Sequence, residues 1–144
     1  MSFRLHILLV EDSTSDLVLA QDVFSLHQDR IHLTMRTSAA DALAYLNDPA
    51  SPRTDVILMD LHLPGMSGLE ALAAIKHSPE LSAVPVILMS GTGDPAQVRQ
   101  AYALHASAFL AKDIRFPQQL TAFLKFWLQA RVPAQATNSG SEQT

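Results

Sequence analysis

Val56-Ile57-Leu58-Met59-Asp60-Leu61-His62-Leu63-Pro64-Gly65-Met66-Ser67-Gly68 is the stretch on which the fold turns. Four consecutive apolar residues without polar alternation mark a strand buried on both faces, as in a parallel sheet covered by helices. The run ends on a carboxylate, Asp60. Pro64-Gly65 then breaks the chain before a helical pattern from about Ser67 to His77, with Leu69, Leu72 and Ile75 as its apolar positions.

The same grammar repeats on either side. Strand-like runs fall at Leu5 to Val10, His32 to Arg36, Val56 to Asp60, Val86 to Met89 and Ala108 to Ala111, each followed by an amphipathic stretch. The first helix opens near Ser13 to Ser15 with Leu19, Ala20, Val23 and Phe24 inward. Ser38 caps the second, with Leu43 and Leu46 inward. Asp94-Pro95 is a start signal for the fourth, and the last runs from about Pro117 to Arg131. The expected class is α/β, a doubly wound five-stranded parallel sheet with five helices.

At 144 residues, 48% hydrophobic and 17% charged, the chain has the size of one domain. Residues 1–131 form the expected domain and 132–144 a flexible tail. That leaves no room for an output domain, so a stand-alone protein is expected. A net charge of -4 with no basic run argues against direct nucleic-acid or membrane-surface binding. With no cysteine there is neither a disulfide framework nor a thiolate metal site. No apolar run approaches the ~20 residues of a membrane span, and the N-terminus does not read as a signal peptide, so a cytoplasmic location is expected.

In an open parallel sheet, ligands bind beyond the carboxyl ends of the strands. There the sequence places Glu11 and Asp12 after the first strand, Asp60 at the end of the third, Ser90 after the fourth and Lys112 after the fifth. Singly, each is more often a cap, a turn residue or a solvated charge; together they form a pattern with no counterpart at the opposite ends. Crowded carboxylates repel by about 4 kcal/mol per pair at ~4 Å and an effective dielectric of about 20. A hard divalent cation would relieve this, and an oxygen-only, incomplete ligand set favours Mg²⁺. A carboxylate nucleophile, a hydroxyl and an ammonium beside it suit phosphoryl transfer, with an aspartyl phosphate as product.

Leu8-Leu9-Val10-Glu11-Asp12, Leu58 to Gly68, Met89-Ser90-Gly91 and Phe109-Leu110-Ala111-Lys112 resemble the receiver domain of two-component response regulators across residues 5 to 131. The resemblance implies a flavodoxin-like fold of strand order 2-1-3-4-5 and a phosphoacceptor rather than an enzyme acting on an external substrate. It implies Asp60 as the site of phosphorylation by a sensor histidine kinase. Asp12, Asp60 and the His62 backbone carbonyl would hold Mg²⁺, with Glu11 acting through a metal-bound water. Ser90 and Lys112 would bind phosphoryl oxygens, and Ser90 with Phe109 would form the switch. The family usually has proline after the lysine, often with a cis bond. Asp113 stands here, and since a non-proline cis bond costs ~2.5–4 kcal/mol, a trans bond is expected.

Tyr102-Ala103-Leu104-His105, with Phe126-Trp127-Leu128, is similar more narrowly to the small response regulators of bacterial phytochromes. That implies a bacteriophytochrome kinase as partner and homodimerisation through the C-terminal region. Leu120, Phe123, Leu124 and Trp127 share one face of the last helix, and Phe126 or Leu128, with Tyr102, is the candidate dimer patch; a broad core stripe is the competing account. The six histidines show no helical metal spacing, but His62, with Thr92, could affect water access to the phosphoryl group. Two rivals remain. A haloacid-dehalogenase-type phosphatase would need a second Asp where His62 stands, and a receiver-like binding module acting without phosphorylation would not need Asp12, Asp60, Ser90 and Lys112 together.

Overall fold

The structure, a computed structural model, describes residues 4–133. Five parallel strands, β1 Leu5–Val10, β2 Ile31–Arg36, β3 Val56–Asp60, β4 Val86–Ser90 and β5 Ala108–Ala111, form one sheet in the order β2-β1-β3-β4-β5. They alternate with α1 Thr14–Ser25, α2 Ala39–Asn47, α3 Gly68–His77, α4 Pro95–Ala103 and α5 Phe116–Gln129. The central strands β1, β3 and β4 are almost wholly buried, so their runs show no alternation.

Side chains alternate between the two faces. Leu5, Ile7, Leu9, Leu58 and Met89 pack with Phe24 of α1 and Phe123 of α5, whose rings stack 6.4 Å apart. Leu8, Val10, Ile57 and Met59 pack with Leu72 and Ile75 of α3 on the other face. Burying such a side chain contributes roughly 1.5–3 kcal/mol, the main term against chain entropy.

Several boundaries differ from the sequence expectation. β4 includes Ser90, so the hydroxyl sits on the ladder rather than after it, and β2 starts one residue early at Ile31. Helix α5 spans Phe116–Gln129 rather than 117 to 131. Its start is set by Asp113, whose carboxylate accepts from the Arg115 amide at 2.7 Å while its carbonyl accepts from the Phe116 amide at 3.0 Å. Buried Phe116 then anchors the first turn. Val132, one residue beyond the expected domain edge, is also buried in the α1–α5 core. The expected flexible tail otherwise lies, from residue 134, outside the described residues.

Two local devices fix the loop after β3. Gly65 turns the chain at φ 74°, where only glycine is unstrained. Ser67 and Glu70 form a reciprocal capping box at the start of α3. Gly68 then packs directly on the end of β3, its amide bonding the Leu61 carbonyl at 2.9 Å. A Cβ there would meet the Asp60 carbonyl oxygen at 2.5 Å.

Candidate functional site

The carboxyl end of β3 stands between those of β1 and β4, with Val10 paired to Met59 and Asp60 to Met89. This register brings Glu11, Asp12 and Asp60 together, each offering an oxygen within 4.8 Å of the others. Glu11 and Asp60 are buried and Asp12 is exposed, so the cluster is open on one side. Hard oxygen donors with an open face suit Mg²⁺, which keeps several waters.

Both oxygens of Asp60 are held. Oδ1 accepts from the His62 amide at 2.8 Å, and Oδ2 accepts from Lys112 Nζ at 2.7 Å. Lys112 arrives from the end of β5, where its own amide bonds the Ser90 carbonyl at 2.7 Å. Its ammonium also donates to Asp16 Oδ2 at 2.8 Å and, at 3.4 Å, to Glu11 Oε2. The Lys112–Asp113 bond is trans, as expected without proline.

The electrostatics follow from burial and crowding. Burial pushes Glu11 up to about 8, and the hydrogen bond and charge of Asp60 add to it. Burial would also raise Asp60, but hydrogen bonds from Glu11, Lys112 and the His62 amide hold it below the ordinary carboxylate value. Near neutrality Glu11 is therefore the protonated partner of an ionised Asp60, and its 3.4 Å contact to Lys112 is the weak one. Burial alone would lower Lys112; its bonds to Asp16 and Asp60 and the charges of Asp60 and Glu11 reverse that and raise it. A cation at the cluster would have to displace the Glu11 proton.

Ser90 is fully buried beside Asp60, with its hydroxyl turned to its own loop. Ser90 Oγ accepts from the Thr92 amide at 3.2 Å and lies 3.2 Å from Thr92 Oγ1. Phe109 is half-buried against the α2–α4 core. The His62 side chain is exposed at the rim of an open cleft of about 540 Å³ that Asp16, Asp60 and Lys112 also line. Among the candidate residues, Glu11, Asp12, Asp60 and Lys112 thus converge, while the Ser90 hydroxyl is bonded to Thr92 and Phe109 packs in the α2–α4 core.

Asp16 was not among the sequence candidates. Its signal was present: it lies one helical turn beyond Asp12, and a helix after a parallel strand begins at the ligand-binding edge.

A five-stranded doubly wound domain with an acidic cluster and a lysine at one sheet edge is the architecture that the receiver resemblance implies. Residues 7–125 match the response regulator receiver domain model, and the chain belongs to that family. Response regulator Rcp1 of Synechocystis sp. is 33% identical over 130 residues, covering 85% of this chain and 88% of Rcp1. The crystal structure of Mn²⁺-bound Rcp1 superposes with a TM-score of 0.83 at 32% identity, covering 89% of this chain and 98% of that one. The phosphorylated cyanobacterial phytochrome response regulator RcpA superposes with a TM-score of 0.86 at 30% identity, covering 90% and 99%. The chain is therefore related to the phytochrome response regulators. Among the described residues no helix is long and apolar enough to cross a membrane.

Proposed function

We propose that Asp60 accepts a phosphoryl group from the phosphohistidine of a sensor kinase. The observation that carries this reading is the Asp60 carboxylate, clamped between the His62 amide and Lys112 beside Glu11 and Asp12. An Asp60 oxygen attacks phosphorus, forming an O–P bond as the donor's P–N bond breaks, and the donor imidazole leaves with a proton. Lys112 pairs with a phosphoryl oxygen in place of Asp60 Oδ2, and Ser90 releases Thr92 to bond another. Asp12 and Asp60, with Glu11 and the His62 carbonyl, are the residues to hold Mg²⁺, which when bound neutralises charge on the transferring oxygens. The only chemistry assigned to the protein is on itself, namely phosphorylation and dephosphorylation of Asp60 in the cytoplasm.

The relation to RcpA supports a phytochrome kinase as donor. Output passes to protein partners, and a homodimer is the form we assign to it. Phe126 is 62% exposed, edge-on to half-buried Trp127, beside an apolar groove of about 500 Å³ lined by Ile87, Ala108, Leu110 and Phe123. Tyr102 is also exposed, whereas Leu128 packs on the α1–α5 core, so Phe126 rather than Leu128 is the dimer residue. Sedimentation with and without a phosphoryl analogue tests this, and monomer alone in both arms refutes it.

The central test is incubation with a small-molecule phosphodonor and Mg²⁺, followed by intact mass. The native chain gains one phosphoryl mass and Asp60→Asn does not. No gain on folded native protein would favour a receiver-like module that binds partners without phosphorylation.

A further inference from the structure

Asp16 binds Lys112 at the site but stands outside the carboxylate cluster of Glu11, Asp12 and Asp60. Yet it takes a bond from Lys112 as short as the one Asp60 takes, 2.8 against 2.7 Å. An ammonium has three N–H bonds to give. Asp16, Asp60 and Glu11 receive all three. The pair is partly dehydrated, with 14% of the Lys112 side chain and 24% of that of Asp16 exposed, so it exceeds an ordinary surface ion pair.

We propose that Asp16 is a positioning residue that competes for the Lys112 ammonium and thereby sets how strongly the site takes a phosphoryl group. The proposal rests on Asp60 being the phosphoacceptor. Asp60's own bond of 2.7 Å already ties Lys112 to the acceptor, so the Asp16 bond is a second hold on the same ammonium. The second bond pulls from the α1 side of the cleft and divides the charge. A phosphoryl group arriving on Asp60 needs an N–H bond and the charge of Lys112. Asp16 withholds part of both and adds a negative charge at the rim of the cleft the anion enters. The same charge attracts a cation. Asp16 therefore acts with opposite sign on the two ligands, which a residue serving only to order the site would not do.

Asp16→Asn keeps the shape and an acceptor oxygen but removes the charge, and Asp16→Glu restores the charge on a longer arm. The assays use the whole 144-residue chain. Mg²⁺ affinity is measured by calorimetry, beryllium trifluoride affinity at saturating Mg²⁺, and the phosphorylation rate with acetyl phosphate, with the thermal midpoint of each variant checked. For Asp16→Asn, beryllium trifluoride binds about three- to tenfold more tightly and phosphorylation quickens by a similar factor, while Mg²⁺ binds more weakly. Asp16→Glu returns all three toward native values. Unchanged or weaker beryllium trifluoride binding by Asp16→Asn overturns the proposal, as does weakening of both ligands together with a lowered midpoint. If the native chain takes neither beryllium trifluoride nor a phosphoryl group, the phosphoacceptor reading falls, and competition by Asp16 falls with it.

Discussion

Gly68→Ala tests whether the loop after β3 is built to place Asp60. The new Cβ would lie 2.5 Å from the Asp60 carbonyl oxygen and 2.9 Å from the Leu61 Cα, both backbone atoms that no rotamer change can move. Reaching ordinary contact, at 3.4 Å or more, needs a retreat of about 0.9 Å from the Asp60 carbonyl oxygen. The displaced pieces are tied: the Gly68 amide bonds the Leu61 carbonyl at 2.9 Å, and the Leu61 amide bonds the Met89 carbonyl at 2.8 Å. Overpacking of this kind costs about 1–3 kcal/mol, and alanine's better helix propensity returns at most about 1. A net loss of about 1–2 kcal/mol is expected in urea unfolding, with Mg²⁺ binding and Asp60 phosphorylation both weakened because the acceptor itself has shifted. A loss below about 0.5 kcal/mol, within the range of an ordinary surface substitution, would refute the close-approach argument. So would normal stability loss with unaltered Mg²⁺ affinity, since the strain would then not reach Asp60.

Glu11 gives a pH dependence with a defined sign. Its folded value of about 8 lies above the ordinary 4.5, so the metal-free fold keeps a proton that the unfolded chain releases. Its contribution to stability is complete below about 4.5 and is lost as pH rises through about 8. Because Mg²⁺ must displace that proton, its affinity falls below pH 8 by up to about tenfold per unit, and calorimetry giving a flat profile between about pH 6 and pH 9 would contradict this. Lys112→Met leaves Asp16 and Asp60 without their cation and should cost about 2–4 kcal/mol in the absence of metal, while phosphorylation slows by about 10² or more. Retained stability in a denaturant titration would show that the lysine bonds are replaceable by water. His105 holds φ 71° just past α4, where its amide bonds the Tyr102 carbonyl and the Ala106 amide bonds the Ala101 carbonyl, the pattern that ends helices on glycine. His105→Gly should raise stability by about 1 kcal/mol without touching Mg²⁺ affinity, and a lowered urea midpoint would refute it.

The sheet was legible because β1, β3 and β4 are buried on both faces, and a continuous apolar run of four to six residues bounded by polar or turn residues suits a strand covered on both sides. The acids and Lys112 were legible because a parallel sheet sends all its strand ends to one edge. Three features were not. Asp16 could be placed near the edge, but only the rotation of α1 about its axis turns it to Lys112, and that is set by Phe24 stacking on Phe123 of α5. The start of α5 depended on Asp113 folding back on Arg115, where the Pro117 signal pointed one residue later. The pairing of His6 with His32, rings 4.8 Å apart across β1 and β2, needs the strand register, which no local pattern in either segment specifies.

The resting hydrogen bonds also constrain how phosphorylation could spread beyond the site. The hydroxyl of Ser90 is fully buried, so it cannot leave Thr92 for water without the cost of an unpaired buried group, about 1–3 kcal/mol. A phosphoryl oxygen on Asp60 offers it a stronger, charged acceptor on the neighbouring strand. Were the hydroxyl to exchange Thr92 for that acceptor, the β4–α4 loop would be free to move, and Ala111, paired to Ser90 across the ladder, would link the shift to β5. Phe109 lies two residues earlier on that strand, half-buried against the α2–α4 core, and has no hydroxyl to satisfy on moving inward. Leu104 and Ala106, at the end of α4, pack against the same core as Phe109. With Asp60 phosphorylated as proposed, an exchange at Ser90 would reach the surface at α4 and β5, beside exposed Tyr102, on the face of the sheet opposite α1.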